Sequence, residues 1–407
     1  MFESSPFDRV RGPLCGLGLI AFTLPASFGQ GLSLRVTDSE VPGLDTFFGG
    51  DFLPDFKGGI YSGVSMDTYY DSNLFLSQDY PDSDAYLEFA PWIAYRSDPD
   101  GNARNAIEVL YSPLARIFWD NSDLNSFDNA GSISYRFRGA KTDFLAYVSY
   151  AEVSGPDRLA GGFIEGDIFT YGAKASYQIA PKTRLVASYR ASQSDYDTVG
   201  RAGTDNYVGD FGFEWDAGRK FSWGATVRYS ELESITTGTR EAWAILGNVA
   251  YNVTDRIDFS GSLGVEFAED SRVGGGSDTG LLGKMKLTYR IDDRWRFHAL
   301  ARYVTVPSPG NVNYLVDDLL FSVGVTRQLN RGQLEAGVAY SISSYEASGI
   351  AAPLADDKEE NLSVYLAYTR PVFNERMDFN SRIEYITNSG LRDWDQLLLS
   401  LGLTTEF

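Results

Sequence analysis

The chain has 407 residues, with 55 acidic side chains against 35 basic ones and a formal charge of −20, which sets the molecule as a whole against nucleic acid, itself a polyanion. One histidine and one cysteine leave little for imidazole catalysis, thiolate ligation of a metal or a disulfide. Aromatics make up 14% of the residues and there are 41 glycines, a mixture that favours strands and turns over long amphipathic helices.

Residues 1–29 read as an export signal. Arg9 and Arg11 precede an apolar run from Leu14 to Leu24, and Pro25, Ser27 and Gly29 lead to a plausible cut at Gln30. The run is too short to cross a bilayer as a helix, and no later segment approaches the necessary length. Cys15 falls inside the signal, so the processed chain is expected to have no thiol. Residues 30–58 hold Phe47, Phe48, Phe52 and Phe56 among glycines and acids without either helical or strand period; they read as a periplasmic leader, with a lumen plug as the alternative.

From Gly59 to Phe407 the chain repeats one unit, about a dozen residues of alternation followed by a break, and the breaks are alternately long and short. Nine long and eight short breaks delimit eighteen strands, with sixteen as the alternative count, because Pro91 and Pro113 fall inside the second and third strands, where each removes a ladder donor. Ile257, Phe259, Leu263, Val265 and Phe267 share one parity, and Asp258, Ser260, Ser262 and Glu266 share the other. A sheet this wide cannot fill its interior with side chains if its apolar face is turned inward, since filled barrels have about eight strands. The apolar face must therefore look out into lipid, and the expected fold is an all-β, antiparallel, up-and-down transmembrane β-barrel in the outer membrane. A one-residue slip would place Lys284 and Lys286 in hydrocarbon at roughly 2–4 kcal/mol each.

The last strand, Gln396 to Phe407, puts Leu397, Leu399, Leu401, Leu403 and Phe407 on the lipid parity and Gly402 on the other. A terminal strand ending in Phe resembles the signal read by the barrel assembly machinery, so Gly402 and Phe407 are its candidate residues. Outer-membrane lipid and lipopolysaccharide are the expected surroundings.

Parity also selects the lumen residues. Lys284, Lys286, Arg290, Arg296 and Arg302 form a basic arc on strands twelve and thirteen, suited to guiding an anionic solute unless Asp258 and Glu266 neutralise it. Tyr61, Tyr69, Tyr86, Trp92 and Tyr365 point inward, as platforms for sugars or as packing against an infolded segment. Inward acids include Asp67, Glu88, Asp210, Glu214, Asp258, Glu266, Glu335, Asp378 and Glu384. His298, inward near the periplasmic end, reads as a polar wall residue. No catalytic set, metal site or cofactor is expected.

The first hairpin carries a resemblance. Residues 63–75 (GVSMDTYYDSNLF) and 83–97 (SDAYLEFAPWIAYRS) are similar to the opening of the beta-barrel porin 2 family, through Tyr70, Asp71, Asn73, Ser83, Asp84 and the internal Pro91, with Ser72 departing from the commoner acid. The resemblance implies an outer-membrane channel often found with exopolysaccharide systems, whose partners would be polysaccharide or periplasmic export proteins; it supplies no catalytic residue. The functions expected are an export or assembly channel for exopolysaccharide, a general diffusion porin for small polar solutes, or an adhesion barrel.

Overall fold

The computed structural model describes residues 59–97, 103–157, 162–197, 203–218, 220–234, 238–254, 256–271, 276–307, 314–347, 358–373 and 377–407. The expected signal and leader lie outside these, as do the loop acids Asp356 and Asp357 and most of the glycine-rich tip at residues 274–276.

Eighteen staves close into one antiparallel barrel. They are β1 (Gly59–Asp71), β2 (Asp84–Arg96), β3 in two pieces (Asn105–Tyr111 and Leu114–Phe118), β4 in two pieces (Ser126–Asp128 and Ala130–Arg138), β5 (Thr142–Asp157) and β6 (Gly162–Ala180). There follow β7 (Thr183–Tyr196), β8 (Thr204–Asp216), β9 (Phe221–Ser234), β10 (Gly238–Thr254), β11 (Ile257–Asp270) and β12 (Ser277–Arg290). The circuit ends with β13 (Trp295–Pro307), β14 (Tyr314–Leu329), β15 (Gly332–Ala347), β16 (Lys358–Val372), β17 (Met377–Gly390) and β18 (Trp394–Glu406). Each stave pairs with its neighbours in sequence, and β18 returns to β1 with Gly63 opposite Glu406 and Asp71 opposite Leu398. The Phe407 amide adds a last bond to the Ser62 carbonyl at 2.8 Å. The count of eighteen holds because both proline-bearing staves stay in register: β3 is broken, without an extra residue, between Tyr111 and Leu114.

The sidedness follows the alternation. Ile245 is 61% exposed, Leu401 60% and Phe211 59%, whereas Leu246, Ala339 and Ser341 on the opposite parity are at most 3% exposed. A surface this apolar is compatible only with hydrocarbon around it, and a closed ladder leaves no open edge in that medium. Aromatics gather at both rims of the band. Tyr229 packs on Trp243 at 4.9 Å near the loop end, and Trp215 on Trp223 at 5.9 Å near the turn end. Arg327, which shares the lipid parity, lies with its guanidinium 4.9 Å from the Trp295 ring centroid at the turn end, a cation–π contact that keeps its charge at the interface.

The loop boundaries differ from those the sequence suggests. Of the long breaks that the alternation suggests at residues 154–165 and 232–240, residues 154–157, 162–165, 232–234 and 238–240 are strand, and β6 and β10 reach 19 and 17 residues, well beyond the roughly 9–11 that a bilayer needs. Polar residues on the outer face, such as Glu152, Asp167, Glu231 and Glu241, end the apolar alternation there. The backbone ladder nevertheless continues above the lipid, since its hydrogen bonds do not depend on side-chain polarity.

Candidate functional site

The inner wall is where solute would meet protein, and its inward acids are bound almost one for one. Arg228 holds Asp210 in a bidentate pair, Nε to Oδ1 at 2.7 Å and Nη2 to Oδ2 at 3.0 Å. Arg184 meets Glu214 at 2.7 Å, Arg240 meets Glu266 at 3.0 Å, and Arg290 meets Asp258 at 3.0 Å. Arg116, 3% exposed, donates from Nε to Glu88 at 2.9 Å and from Nη1 to Ser154 Oγ at 2.9 Å, with Asp128 at 3.7 Å. Buried charges persist only when paired and hydrogen-bonded in this way.

The structure divides the basic arc. Lys284 stands opposite Arg302, and Lys286 opposite Leu300, so three of the five cations lie on neighbouring rungs. Arg302 donates from Nη2 to Asp318 at 2.7 Å, and Asp318 also accepts from the Ser343 hydroxyl at 2.7 Å. Arg290 and Arg296 face each other at the turn end, where Asp258 takes up Arg290. Neutralisation therefore comes from Asp258 on one side and from Asp318 on the other, while Glu266 is committed to Arg240. Asp318 lies on the lumen parity of β14; an Arg-to-Asp step to the following strand is its only sequence sign.

The inward aromatics are packed into the wall. Tyr69 stacks on Tyr86 with centroids 5.0 Å apart, Tyr86 on Phe118 at 4.8 Å, and Phe118 meets Phe163 at 6.3 Å. Leu74, Phe75 and Leu124 complete this cluster. Tyr61 packs on Trp92, Ala94 and Leu110. The Tyr365 hydroxyl donates to Glu335 at 2.7 Å while Arg382 lies 4.0 Å from the ring centroid. Several inward side chains lie flat over a glycine directly across the ladder: Trp92 over Gly63, Tyr147 over Gly172, His298 over Gly324, Tyr365 over Gly337 and Asp67 over Gly402. A Cβ at any of these glycines would enter the covering side chain. The ring thus fills the volume that glycine leaves, as in aromatic rescue of strand glycines. This gives His298 and Gly402 a structural place in the wall.

Three of the residues that carry the first-hairpin resemblance, Asp71, Asn73 and Asp84, build a latch at the loop end. Asp71 accepts from the Asn73 amide at 2.8 Å and from Gln396 Nε2 of β18 at 2.8 Å. Asn73 donates to the carbonyls of Ser77 at 2.9 Å and Asp395 at 3.0 Å. Asp84 accepts from the backbone amides of Asp120 and Asn121 at 3.1 and 2.8 Å. The chain between β1 and β2 consequently folds inward: Leu74 is fully buried, and Leu76, at a φ of 51°, packs on Ile386 and Trp394. A second tie at this end is Arg392, which meets Glu359 at 2.5 and 2.8 Å, with the Tyr345 hydroxyl also on Glu359 at 2.8 Å.

Closure, sidedness and strand number together decide the architecture. It is the fold of an outer-membrane porin. The crystal structure of Pseudomonas aeruginosa OccK1 (OpdK) aligns with 86% of this chain and 99% of its own, at 15% sequence identity and a TM-score of 0.52. The structure of the same organism's OpdK with vanillate aligns over the same shares at 14% identity and a TM-score of 0.52. No protein-family model matches the chain, and no curated protein matches it. A barrel of this fold belongs in the outer membrane, where its apolar belt has a matching solvent. Among its described residues no cluster of three or more His, Cys, Asp or Glu side chains could hold a metal ion.

Proposed function

We propose that this barrel is a diffusion channel for small polar solutes. The observation that carries the reading is the inner wall itself, in which cations and carboxylates alternate around the circumference from Arg116–Glu88 to Arg382–Glu384. Such a surface offers a passing solute many weak, exchangeable hydrogen bonds and no deep well, which is what conduction requires. Lys284 and Lys286 add a cationic step on β12 that would favour anions. The solved neighbours support a channel of this kind, and one of them was solved with vanillate, a small solute.

An exopolysaccharide conduit draws on the first-hairpin resemblance alone. Of the inward aromatics that would serve a glycan as platforms, Tyr69 and Tyr86 are packed with Leu74, Phe75 and Leu124, and Tyr61 and Trp92 with Ala94 and Leu110, which favours the small-solute reading.

Swelling of proteoliposomes in isotonic sugars of increasing size tests the proposal. Arabinose and glucose are expected to enter, with the rate falling steeply toward trisaccharides. Absence of swelling with arabinose, for a barrel shown to be folded by its heat-dependent gel mobility, would overturn it.

A further inference from the structure

Pro91 of β2 and Pro113, in the break of β3, face one another across the wall. Phe89 pairs with Ala115 and Ile93 with Tyr111, so equal lengths of chain separate these rungs and the two prolines meet midway. The direction of the neighbouring hydrogen bonds gives this pairing its weight. Toward β4, the Ser112 amide donates to the Ala130 carbonyl at 2.8 Å. Toward β2, the bonds run through odd positions, from Ser97 to Ile107 at 2.9 Å and from Trp119 to Ala85 at 3.1 Å. The rung of Pro91 and Pro113 is thus one that would exchange two N–H···O bonds, and neither proline has an N–H to give. Two carbonyls point into a gap about 13 Å long with no donor from either strand.

Two further features converge there. The Ser112 hydroxyl, on the inner face of the gap, is 5% exposed and has no hydrogen-bond partner among the described residues. The inner wall beside it is apolar, formed by Ala90, Trp92, Ala94, Leu110 and Leu114, and it is bounded by ion pairs, Arg116–Glu88 toward the loops and Arg96–Glu108 toward the turns. On the lipid side, Phe89, Ile93 and Tyr111 are exposed, and Pro113 between them in the rung order is buried. Backbone in hydrocarbon ordinarily satisfies itself within the wall; here an acceptor-rich gap has apolar surface on both of its faces.

We propose that the wall between β2 and β3 is a lateral port, at which an apolar solute bearing a hydroxyl passes between lumen and bilayer. Its hydroxyl would donate to a Pro91 or Pro113 carbonyl and accept from Ser112 Oγ. The rung has acceptors but no cation, so it selects an alcohol or phenol over an anion. The port rests on the seat of the barrel in the bilayer and not on the choice of polar solute, and it would survive failure of the swelling experiment.

Proteoliposomes are labelled with a photoreactive probe, dodecanol carrying a diazirine, and the modified residues are located by peptide mass mapping. Outward residues on every strand will react. The expected result is labelling of inward Trp92, Ser112 and Leu114 as well, with Ser322 and Ser341 on the unbroken inner wall left unlabelled. The double variant Pro91→Val/Pro113→Val restores the rung and should abolish the inward labelling. A staple, Ala90→Cys with Leu114→Cys, placed in a chain whose only cysteine is Cys15, should suppress it when oxidised and release it on reduction, the same protein serving as its own folding control. Absence of inward labelling in the wild type, labelling of Ser341 equal to that of Ser112, or labelling indifferent to the staple would each overturn the port.

Discussion

At Arg116 one guanidinium serves two carboxylates and a serine inside the wall. Replacing it with Met leaves Glu88 and Asp128 without a counter-charge in a buried place, and the expected cost is about 3–5 kcal/mol, measurable as a lower urea midpoint for unfolding from detergent micelles. Asp318 engages Arg302 at 2.7 Å. Lys284→Gln with Lys286→Gln removes two positive charges and should move the reversal potential in a salt gradient toward cations, while Arg302→Gln, which removes one and leaves Asp318 uncompensated, should move it in the same direction by less. Parity made the inward position of these residues legible: Asp210, Glu266 and Lys284 fall on the lumen side by simple alternation. Their partners were not legible. Whether Arg302 reaches Asp318 on the next strand or Glu266 two strands back depends on the stagger between staves and on side-chain rotamers, neither of which a single strand's alternation encodes.

Among elements, the inward-folded segment between β1 and β2 is held by a few hydrogen bonds from Asp71, Asn73 and Gln396. Asn73→Ala removes the donors to Ser77 and Asp395, each bond contributing about 1 kcal/mol, and should make residues 72–83 cleavable by added protease well before the barrel opens, as seen by limited proteolysis of the folded protein. The quoted motif marked this place without revealing what it builds, because Asp and Asn spacing announces a turn while the turn's destination is set by Gln396 and Asp395, more than 300 residues away in sequence. Pro91 and Pro113 are a related case. Each alone reads as a flaw in a strand; only the register between strands brings them to the same rung. The flat-lying side chains form a third kind of element-level contact. Gly337→Val should lift Tyr365 from the wall and part its hydroxyl from Glu335, with a loss of about 1–3 kcal/mol read from the temperature at which the gel mobility shifts.

For the whole molecule, the solvent is the bilayer, and the apolar belt is what the sequence displays most openly. Leu401→Arg places a charge on the lipid face of the closing stave at an expected cost of about 2–4 kcal/mol, to be measured by equilibrium folding into short-chain phosphatidylcholine vesicles. The same substitution at inward Ser400 should cost far less. Eighteen staves and their sidedness were legible because an alternation of period two persists through every stave, from Gly59 onward. The outer loop boundaries were not, since Glu152, Asp167 and Glu231 halt the apolar signal while the hydrogen-bonded ladder continues above the membrane.

The pairing of Gly63 with Glu406 brings the first and last staves side by side at the same rim. A peptide linker joining Phe407 to Gly59 would then have only a short distance to bridge, and the ring could be cut anew at the loop between β17 and β18. A circularly permuted chain of that design should still yield a closed cylinder when refolded in detergent, where no assembly signal is read, because the circuit of neighbours has no privileged starting point.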